Sequence, residues 1–82
     1  TDIEHKQLFY DSKTILQELV QGERRQLSYR LIGESGPDHD KSFSVEVCVD
    51  DEVISTGAGH TKKAAEQEAA YKALLILKKV EE

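Results

Sequence analysis

Apolar residues recur at a helical period in two segments of the chain, one near its start and one near its end. From 12 to about 21, they return every three or four positions and polar residues occupy the opposite face. The same spacing runs from 62 to about 79. Its apolar members are Ala65, Ala69, Ala70, Ala73, Leu74, Ile76, Leu77 and Val80. The pattern predicts two amphipathic helices, with Ser12 and Thr61 as their N-caps and Gly22 ending the first.

Between the helices, apolar and polar residues alternate as they do in strands that bury one face. The alternation is clearest from 43 to 50. Its apolar members are Phe43, Val45, Val47 and Val49, and its polar members are Ser44, Glu46, Cys48 and Asp50. Weaker patterns predict strands at 27–34, with Tyr29 and Leu31 on one side, and at 52–59 after a tight Asp50-Asp51 turn. We therefore predict an α+β fold of order α-β-β-β-α, with both helices packed on one face of a three-stranded antiparallel sheet.

Length and composition restrict the classes of function. The chain has 82 residues with 38% hydrophobic content, which suits one small domain. No apolar run approaches the ~20 residues needed to span a bilayer, so a membrane is not a predicted partner. Cys48 is the single cysteine, which excludes an internal disulfide and suits a reducing cytoplasm. By alternation it is predicted on the polar face of its strand, and we assign it no role.

The charge of the chain is negative overall but unevenly distributed. A formal net charge of -5 argues against a polyanionic partner. From 60 to 79, however, five lysines outnumber two glutamates. A local basic surface on an acidic body can still bind phosphate, with weaker long-range attraction.

Two lysines, Lys62 and Lys63, stand at the start of the second predicted helix. The positive end of the helix dipole disfavours cations there by roughly 0.3–1 kcal/mol each. Free backbone N–H groups, the dipole and two ammonium groups would instead favour a bound phosphate. Two solvated lysines on a first helical turn are the other interpretation, and this feature alone leaves both open.

Three stretches of the sequence resemble the double-stranded RNA-binding domain, in the version that ends bacterial ribonuclease III. They are KTILQEL from Lys13 to Leu19, GPDHDKSFSVEV from Gly36 to Val47, and GAGHTKKAAEQEAAYKAL from Gly57 to Leu74. They occur in the family's order and spacing, and the resemblance covers about 12–79. It implies the α-β-β-β-α fold and binding along one side of A-form RNA.

The resemblance also implies which residues contact RNA. Thr14, Gln17 and Glu18 would face one minor groove, and the loop residues Pro37, Asp38 and His39 would enter the next. Lys62 and Lys63 would contact the phosphates across the intervening major groove, with Gln67 one turn further along the helix. A-form RNA suits this division, because its wide minor groove exposes 2′-hydroxyls while its deep major groove excludes side chains.

The sequence departs from many family members at Glu66, where a third basic residue is common. The Glu66-Gln67 pair is frequent in the ribonuclease III version and supports that parentage. It also removes a positive charge from the phosphate contacts, so we expect modest affinity.

The remaining expectations concern the parent protein. We predict residues 1–10 as a tether from a nuclease domain outside this chain, and 11–82 as the binding domain. The chain carries no catalytic apparatus, and Asp38, His39 and Asp40 are more simply a polar loop than a metal site. No cofactor is expected for this domain; the resemblance implies Mg²⁺ only in the nuclease domain, which would also make the parent enzyme a homodimer.

An alternative is a protein-interaction module of the same fold that dimerises and binds RNA weakly or not at all. The negative charge and Glu66 favour it, and so would an exposed Leu75 or a hydrophobic edge on the third strand. Lys62, Lys63 and His39 argue against it, because a degenerate module has no reason to keep all three regions.

Overall fold

The computed structural model describes residues 11–78. They form α1 (Ser12–Gly22), β1 (Leu27–Ser35), β2 (Ser42–Val49), β3 (Glu52–Gly59) and α2 (Lys62–Lys78). The strands make one antiparallel sheet in the order β1-β2-β3. The predicted fold class and element order are therefore confirmed. The predicted tether at 1–10 and the last residues, 79–82, lie outside the described part of the chain.

A two-residue turn joins β2 to β3, as predicted. Asp50 and Asp51 have φ angles of 52° and 68°, the left-handed conformation that type I′ hairpin turns require. The Asp50 carboxylate accepts hydrogen bonds from the Gln26 backbone N–H at 2.9 Å and from Arg25 Nε at 3.0 Å. The Gln26 bond and then the Arg25 contact lower the pKa of Asp50, because both stabilise its charged form. The turn is thus tied to the start of β1.

One hydrophobic core lies between the sheet and the two helices. Its fully buried members are Leu16, Val20, Val47, Val49, Ala69, Ala70, Ala73 and Leu74. They come from both helices and from the central strand, so the helices cover the same face of the sheet. The predicted placement of the helices is therefore confirmed.

Small residues let α2 pack directly against β3. A Cβ on Gly57 would overlap the backbone N of Ala69 and lie 2.6 Å from the carbonyl O of Ala65. Ser55 Oγ donates a hydrogen bond of 2.6 Å to the Ala69 carbonyl, next to this contact. The helix therefore approaches the sheet backbone more closely than larger residues would allow.

The prediction that Ser12 caps α1 is wrong. Asp11 occupies the N-cap position, without a side-chain capping bond, and Ser12 is the first helical residue. Ser12 is fully buried, and its Oγ donates to the Gln67 carbonyl of α2 at 3.0 Å. A serine at a helix start is typical of a local cap, but this one makes a contact between helices. Thr61 does cap α2, because its Oγ1 accepts from the Ala64 N–H at 3.0 Å.

Two residues of the predicted apolar patterns are exposed. Ile76 belongs to the predicted apolar stripe of α2, but 54% of its surface is exposed because the buried side of the helix follows the alanines and Leu74. Leu31 is 46% exposed although Tyr29, on the same side of the strand, is half-buried. The β1–β2 register shifts between Leu31 and Gly33, so the regular alternation of β1 ends there.

The predicted placement of Cys48 at the solvent is also wrong. Cys48 is 1% exposed, although it alternates with the core valines of β2. As part of the central strand it lies between Ser28 of β1 and Val53 of β3. Glu46, which pairs with Arg30 at 2.5 Å, brings a carboxylate oxygen 3.9 Å from the Cys48 sulfur. The Glu46 carboxylate therefore lies beside the thiol, on the face of the sheet opposite the core valines.

Candidate nucleic-acid interface

The first predicted contact region is the exposed side of α1. Thr14, Gln17 and Glu18 are all exposed, at the helical spacing that puts them on one side. Leu16 and Val20 on the other side are buried in the core. The fold therefore presents the three predicted residues together to solvent.

Two contacts fix the start of α1 against α2. One is the hydrogen bond from Ser12 to the Gln67 carbonyl. The other is a salt bridge of 2.6 Å between Lys13 Nζ and Glu66 Oε1, whose side chains are 39% and 29% exposed. Glu66 thus faces α1, and Lys13 balances its negative charge. No local sequence pattern points to Lys13, because its partner is 53 positions away.

The second predicted region is the loop between β1 and β2. Pro37, Asp38 and His39 are all exposed. Gly36 has a φ of 93°, which favours glycine, and the Asp40 N–H donates to the Pro37 carbonyl at 2.9 Å. The three predicted side chains are therefore exposed on a tight turn.

The third predicted region is the N-terminus of α2. Lys62 and Lys63 are exposed, and the first turn of the helix contains no acidic residue. Neither lysine takes part in a salt bridge or side-chain hydrogen bond within residues 11–78. Lys72, by contrast, lies 3.4 Å from Glu68 one turn before it. The two ammonium groups are thus open to an anion beside the helix terminus.

Gln67 lies one turn beyond Lys63 but is half-buried on α2. Its carbonyl accepts the hydrogen bond from Ser12, so its backbone belongs to the contact between the helices. Its predicted role toward RNA stays a prediction.

Sequence reasoning did not single out His60, which joins two of the regions. Its Nδ1 lies 3.2 Å from the Lys41 carbonyl and 3.4 Å from Asp40 Oδ1, at the end of the β1–β2 loop. The histidine directly precedes Thr61 and the lysine pair. In the sequence, only its place before the lysine pair could have drawn attention to His60, because its loop partner Lys41 is 19 residues away.

α1 and the β1–β2 loop both contact the segment that runs from His60 into the first two turns of α2. α1 contacts α2 through Glu66 and Gln67, and the loop contacts the residue before its cap, His60. One pocket is lined by residues of the loop region and another by residues of the α1 region. One, of about 330 Å³, is lined by Asp38, His39, Asp40, Lys41, Phe43 and His60. The other, of about 340 Å³, is lined by Gln17, Gln21, Arg25, Gln26, Leu27 and Tyr29. The fold therefore brings together three segments that are far apart in sequence.

Neither a metal centre nor a membrane-spanning helix is found within residues 11–78. No group of three or more histidine, cysteine, aspartate or glutamate side chains is arranged to hold a metal ion in this part of the chain. Among the described helices, none is long and apolar enough to cross a membrane.

A family comparison agrees with this geometry. The family model described as the double-stranded RNA binding motif matches residues 12–77, which include every described strand and nearly all of both helices. The chain therefore belongs to the double-stranded RNA-binding motif family, and the resemblance seen in the sequence is confirmed.

The chain is similar to part of bacterial proteins named ribonuclease 3. The chain is 54% identical over 72 residues to the ribonuclease 3 of a Nitratiruptor species, and the match covers 87% of this chain and 32% of that protein. It is 50% identical over 78 residues to that of Carboxydothermus hydrogenoformans, covering 94% of this chain and 33% of that protein. The chain therefore spans about a third of the length of these relatives.

A solved structure shares the fold. The solution structure of both double-stranded RNA-binding domains of DRB4 with their linker superposes with a TM-score of 0.65 at 33% identity. The match covers 85% of this chain and 46% of that one.

Proposed function

We propose that the chain is the RNA-binding module of a ribonuclease III-like endoribonuclease, and that it holds duplex RNA by its A-form shape. Membership of the double-stranded RNA-binding motif family supports the partner. The identity of about 50% to a third of each ribonuclease 3 relative supports the parentage. In this proposal the chain binds the substrate, and a nuclease domain outside it cleaves.

The observation that carries the binding mode is the arrangement of three exposed polar regions around the start of α2. On α1, Gln17 can both donate to and accept from a 2′-hydroxyl, and Glu18 can accept from a hydroxyl or a base amine. In the loop, His39 can donate from its ring to a 2′-hydroxyl. Lys62 and Lys63 supply two charges for phosphates. Along one side, an A-form duplex presents the hydroxyls of one minor groove, then the phosphates of the major groove, then the hydroxyls of the next minor groove.

The arrangement also changes the expectation for Glu66. The sequence suggested a negative charge near the phosphates. In the fold, Lys13 balances Glu66 at 2.6 Å and the carboxylate is 29% exposed. We therefore infer that Glu66 weakens phosphate binding less than its place in the sequence implies.

The rest of the proposal concerns the parent protein. We propose that it acts in the cytoplasm and dimerises through its nuclease domain, where Mg²⁺ would bind. The binding domain would need no cofactor and no membrane. For these points the ribonuclease III resemblance is the support.

No observation in the structure favours the alternative of a protein-interaction module. Leu75 is half-buried, and Val53 is the only exposed large apolar side chain of β3. The edge of the sheet at β3 is therefore not a hydrophobic strip.

The experiment that tests the proposal is a salt titration of binding to a 20-base-pair RNA duplex, longer than the ~16 base pairs that such domains span. Lys62→Ala and Lys63→Ala should each weaken binding and flatten the slope of log affinity against log salt by about 0.9 or somewhat less, using the duplex DNA value as a guide. The loss should be similar for different RNA sequences, because phosphate contacts carry no base information. Folding should be unharmed, since both lysines oppose the helix dipole.

Lys72→Ala is the matched control, because Lys72 is an exposed lysine of the same helix that pairs with Glu68. It should leave the salt slope nearly unchanged. A double Lys62→Ala/Lys63→Ala variant with the affinity and salt slope of the unmodified chain would contradict the proposed phosphate site.

A further inference from the structure

His60 is an exposed residue whose ring is nevertheless held by two neighbours. Its side chain is 77% exposed, and that of Asp40 is 66% exposed. Nδ1 lies 3.2 Å from the Lys41 carbonyl O and 3.4 Å from Asp40 Oδ1. A carbonyl oxygen can only accept a hydrogen bond, so the bond to Lys41 requires a proton on Nδ1. His60 Nδ1–H is therefore a donor aimed at the last residues of the β1–β2 loop.

The sheet brings the two ends of this contact together. Phe43, near the start of β2, pairs with Gly59, the last residue of β3. The end of the loop therefore lies beside the residue that leads into α2. On one side of this pair, the chain leads back into the loop with the exposed His39. On the other side, it passes through His60 into the capped first turn of α2 with the exposed Lys62.

The loop has few other attachments. Between 36 and 41, the backbone hydrogen bond from Asp40 to Pro37 closes the turn within the loop itself. Lys41 also lies 3.5 Å from Glu34, in the strand that leads into the loop. Among these described contacts, the His60 side chain is the one that reaches from α2's entrance to the loop. Without it, the described connection between the loop and the helix would run through the strands.

We propose that His60 is a positioning residue for RNA binding. Its Nδ1–H holds the β1–β2 loop against the N-terminus of α2, so that the loop and the lysine pair meet the duplex at a fixed spacing. A loop that is already ordered loses less conformational freedom when it binds, so the affinity rises without a contact between His60 and RNA. This inference rests on the proposed function, because it assigns His60 to two regions proposed to contact RNA.

Three substitutions separate the donor from the rest of the ring. Asparagine places an amide nitrogen at the same distance along the side chain as Nδ1, whereas glutamine places it one bond further out, and alanine has no donor. His60→Ala and His60→Gln should weaken binding to the 20-base-pair RNA duplex about two- to tenfold, the loss expected for one hydrogen bond. His60→Asn should bind within about twofold of the unmodified chain. Equal binding by all three variants and the unmodified chain would overturn the proposal.

Two further readouts distinguish positioning from direct contact. His60→Ala should leave the slope of log affinity against log salt unchanged, because no phosphate contact is lost. Its effect should shrink in a His39→Ala background, because a loop without His39 gains less from being held. A slope flattened by about 0.9, or effects of the two substitutions that simply add, would show that His60 acts on RNA independently and would overturn the positioning role.

The same titration separates this inference from the proposed function. If Lys62→Ala/Lys63→Ala weakens binding and His60→Ala does not, the positioning role fails and the proposed function stands. If neither variant changes binding, both fail. Thermal unfolding by circular dichroism should give nearly equal midpoints for the unmodified chain and the His60 variants, because contacts between exposed groups contribute little to stability.

Discussion

Gly57 shows how one missing Cβ determines the separation between α2 and the sheet. A side chain there would overlap the backbone of Ala69 and Ala65, and backbone cannot move aside as a flexible side chain can. The glycine is required by packing and not by its φ angle, since its φ is not positive. The residue therefore controls how closely the helix that carries the lysines sits on β3.

We predict that Gly57→Ala destabilises the fold by about 1–3 kcal/mol, the usual cost of overpacking, and that the value lies toward the upper end. Gly22→Ala is the matched control, because a Cβ there would meet nothing within 4 Å. It should be neutral or stabilise by about 0.4–1 kcal/mol. Urea unfolding of the two variants measures the difference, and a Gly57→Ala variant as stable as the control would contradict the close approach.

Tyr29 is a second residue whose chemistry is altered by its surroundings. Its hydroxyl is buried and has no hydrogen-bond partner within residues 11–78. Burial, and then the negative charge of Glu66, raise the pKa of Tyr29 to about 12. Both disfavour the phenolate in the folded state.

The sign of the resulting pH dependence follows from linkage. The folded state holds the Tyr29 proton more tightly than the unfolded state, in which the pKa of the phenol is 10.0. The contribution of Tyr29 to the free energy of unfolding should therefore be fully present below pH 10 and fall as the pH rises toward 12. Tyr29→Phe should lack this component and be no less stable at neutral pH, because no hydrogen bond is lost. Unfolding free energies of the two proteins between pH 8 and about 12 give the difference; parallel pH profiles would refute the assignment.

At the scale of elements, the β2–β3 turn combines a backbone requirement with a side-chain requirement. Asp50 and Asp51 both adopt positive φ, which glycine adopts more easily than aspartate. Within residues 11–78, only the Asp50 carboxylate of the two accepts hydrogen bonds, from Gln26 and Arg25 just before β1. Two neighbouring aspartates with the same backbone conformation therefore have different roles.

This difference yields a matched pair of substitutions. Asp51→Gly should leave stability unchanged or raise it by up to about 1 kcal/mol, because relief of the left-handed strain exceeds the entropy cost of glycine. Asp50→Gly should destabilise despite the same relief, because it removes the tie to β1. The stability of the unmodified chain should also fall as the Asp50 carboxylate is protonated at low pH, since its pKa is lowered in the fold. Thermal midpoints of both variants decide the matter, and equal shifts would be inconsistent with a role for the Asp50 carboxylate.

Also at this scale, the two helices are joined by polar contacts as well as by the core. Ser12 donates to the Gln67 carbonyl, and Lys13 pairs with Glu66 while its Nζ lies 5.4 Å from the centre of the Tyr29 ring. These contacts fix the first turn of α1 against α2. The side of α1 that bears Gln17 is thereby held in a defined orientation relative to the lysine pair.

At the scale of the whole molecule, the arrangement of the three regions is suited to one form of duplex. In the proposed binding mode, the side chains that contact RNA 2′-hydroxyls come from α1 and from the loop, and the lysine pair binds phosphates between them. DNA lacks the 2′-hydroxyl, and its B-form grooves differ in width and depth from those of A-form RNA.

We therefore predict a clear preference for an RNA duplex over a DNA duplex of the same length and sequence. Competition titrations at fixed salt measure it, because affinity for either duplex depends strongly on salt. Part of the preference should disappear in a Gln17→Ala variant, which removes a group proposed to contact the 2′-hydroxyl. Equal affinity for the two duplexes would remove the basis of the minor-groove contacts.

Local periodicity was sufficient to predict the elements of this fold. The bounds of β3 and the start of α2 agree with the structure, and so does the turn at Asp50-Asp51, because each depends on neighbouring residues. Three of the failures share one cause. The predictions for Ser12, Cys48 and Ile76 rest on their place in a helix or strand, whereas their surroundings come from other elements.

For the candidate site, too, features that depend on neighbouring residues were predicted, whereas contacts between distant residues were not. The family's motifs identified the exposed residues on α1, in the loop and at the start of α2, since exposed polar groups can be recognised from local sequence. The residues that hold these regions together, Lys13 and His60, were not found. Their partners are 53 and 19 positions away, and no local pattern predicts such contacts.

The sequence by itself thus determined the order of the elements, the fold class and the family, because hydrophobic period, turn chemistry and motif spacing are properties of the chain. The tertiary structure alone decided that Glu66 is paired, that Cys48 is buried on the open face of the sheet and that His60 reaches the loop. Each of these depends on atoms that only folding brings within a few ångströms of one another.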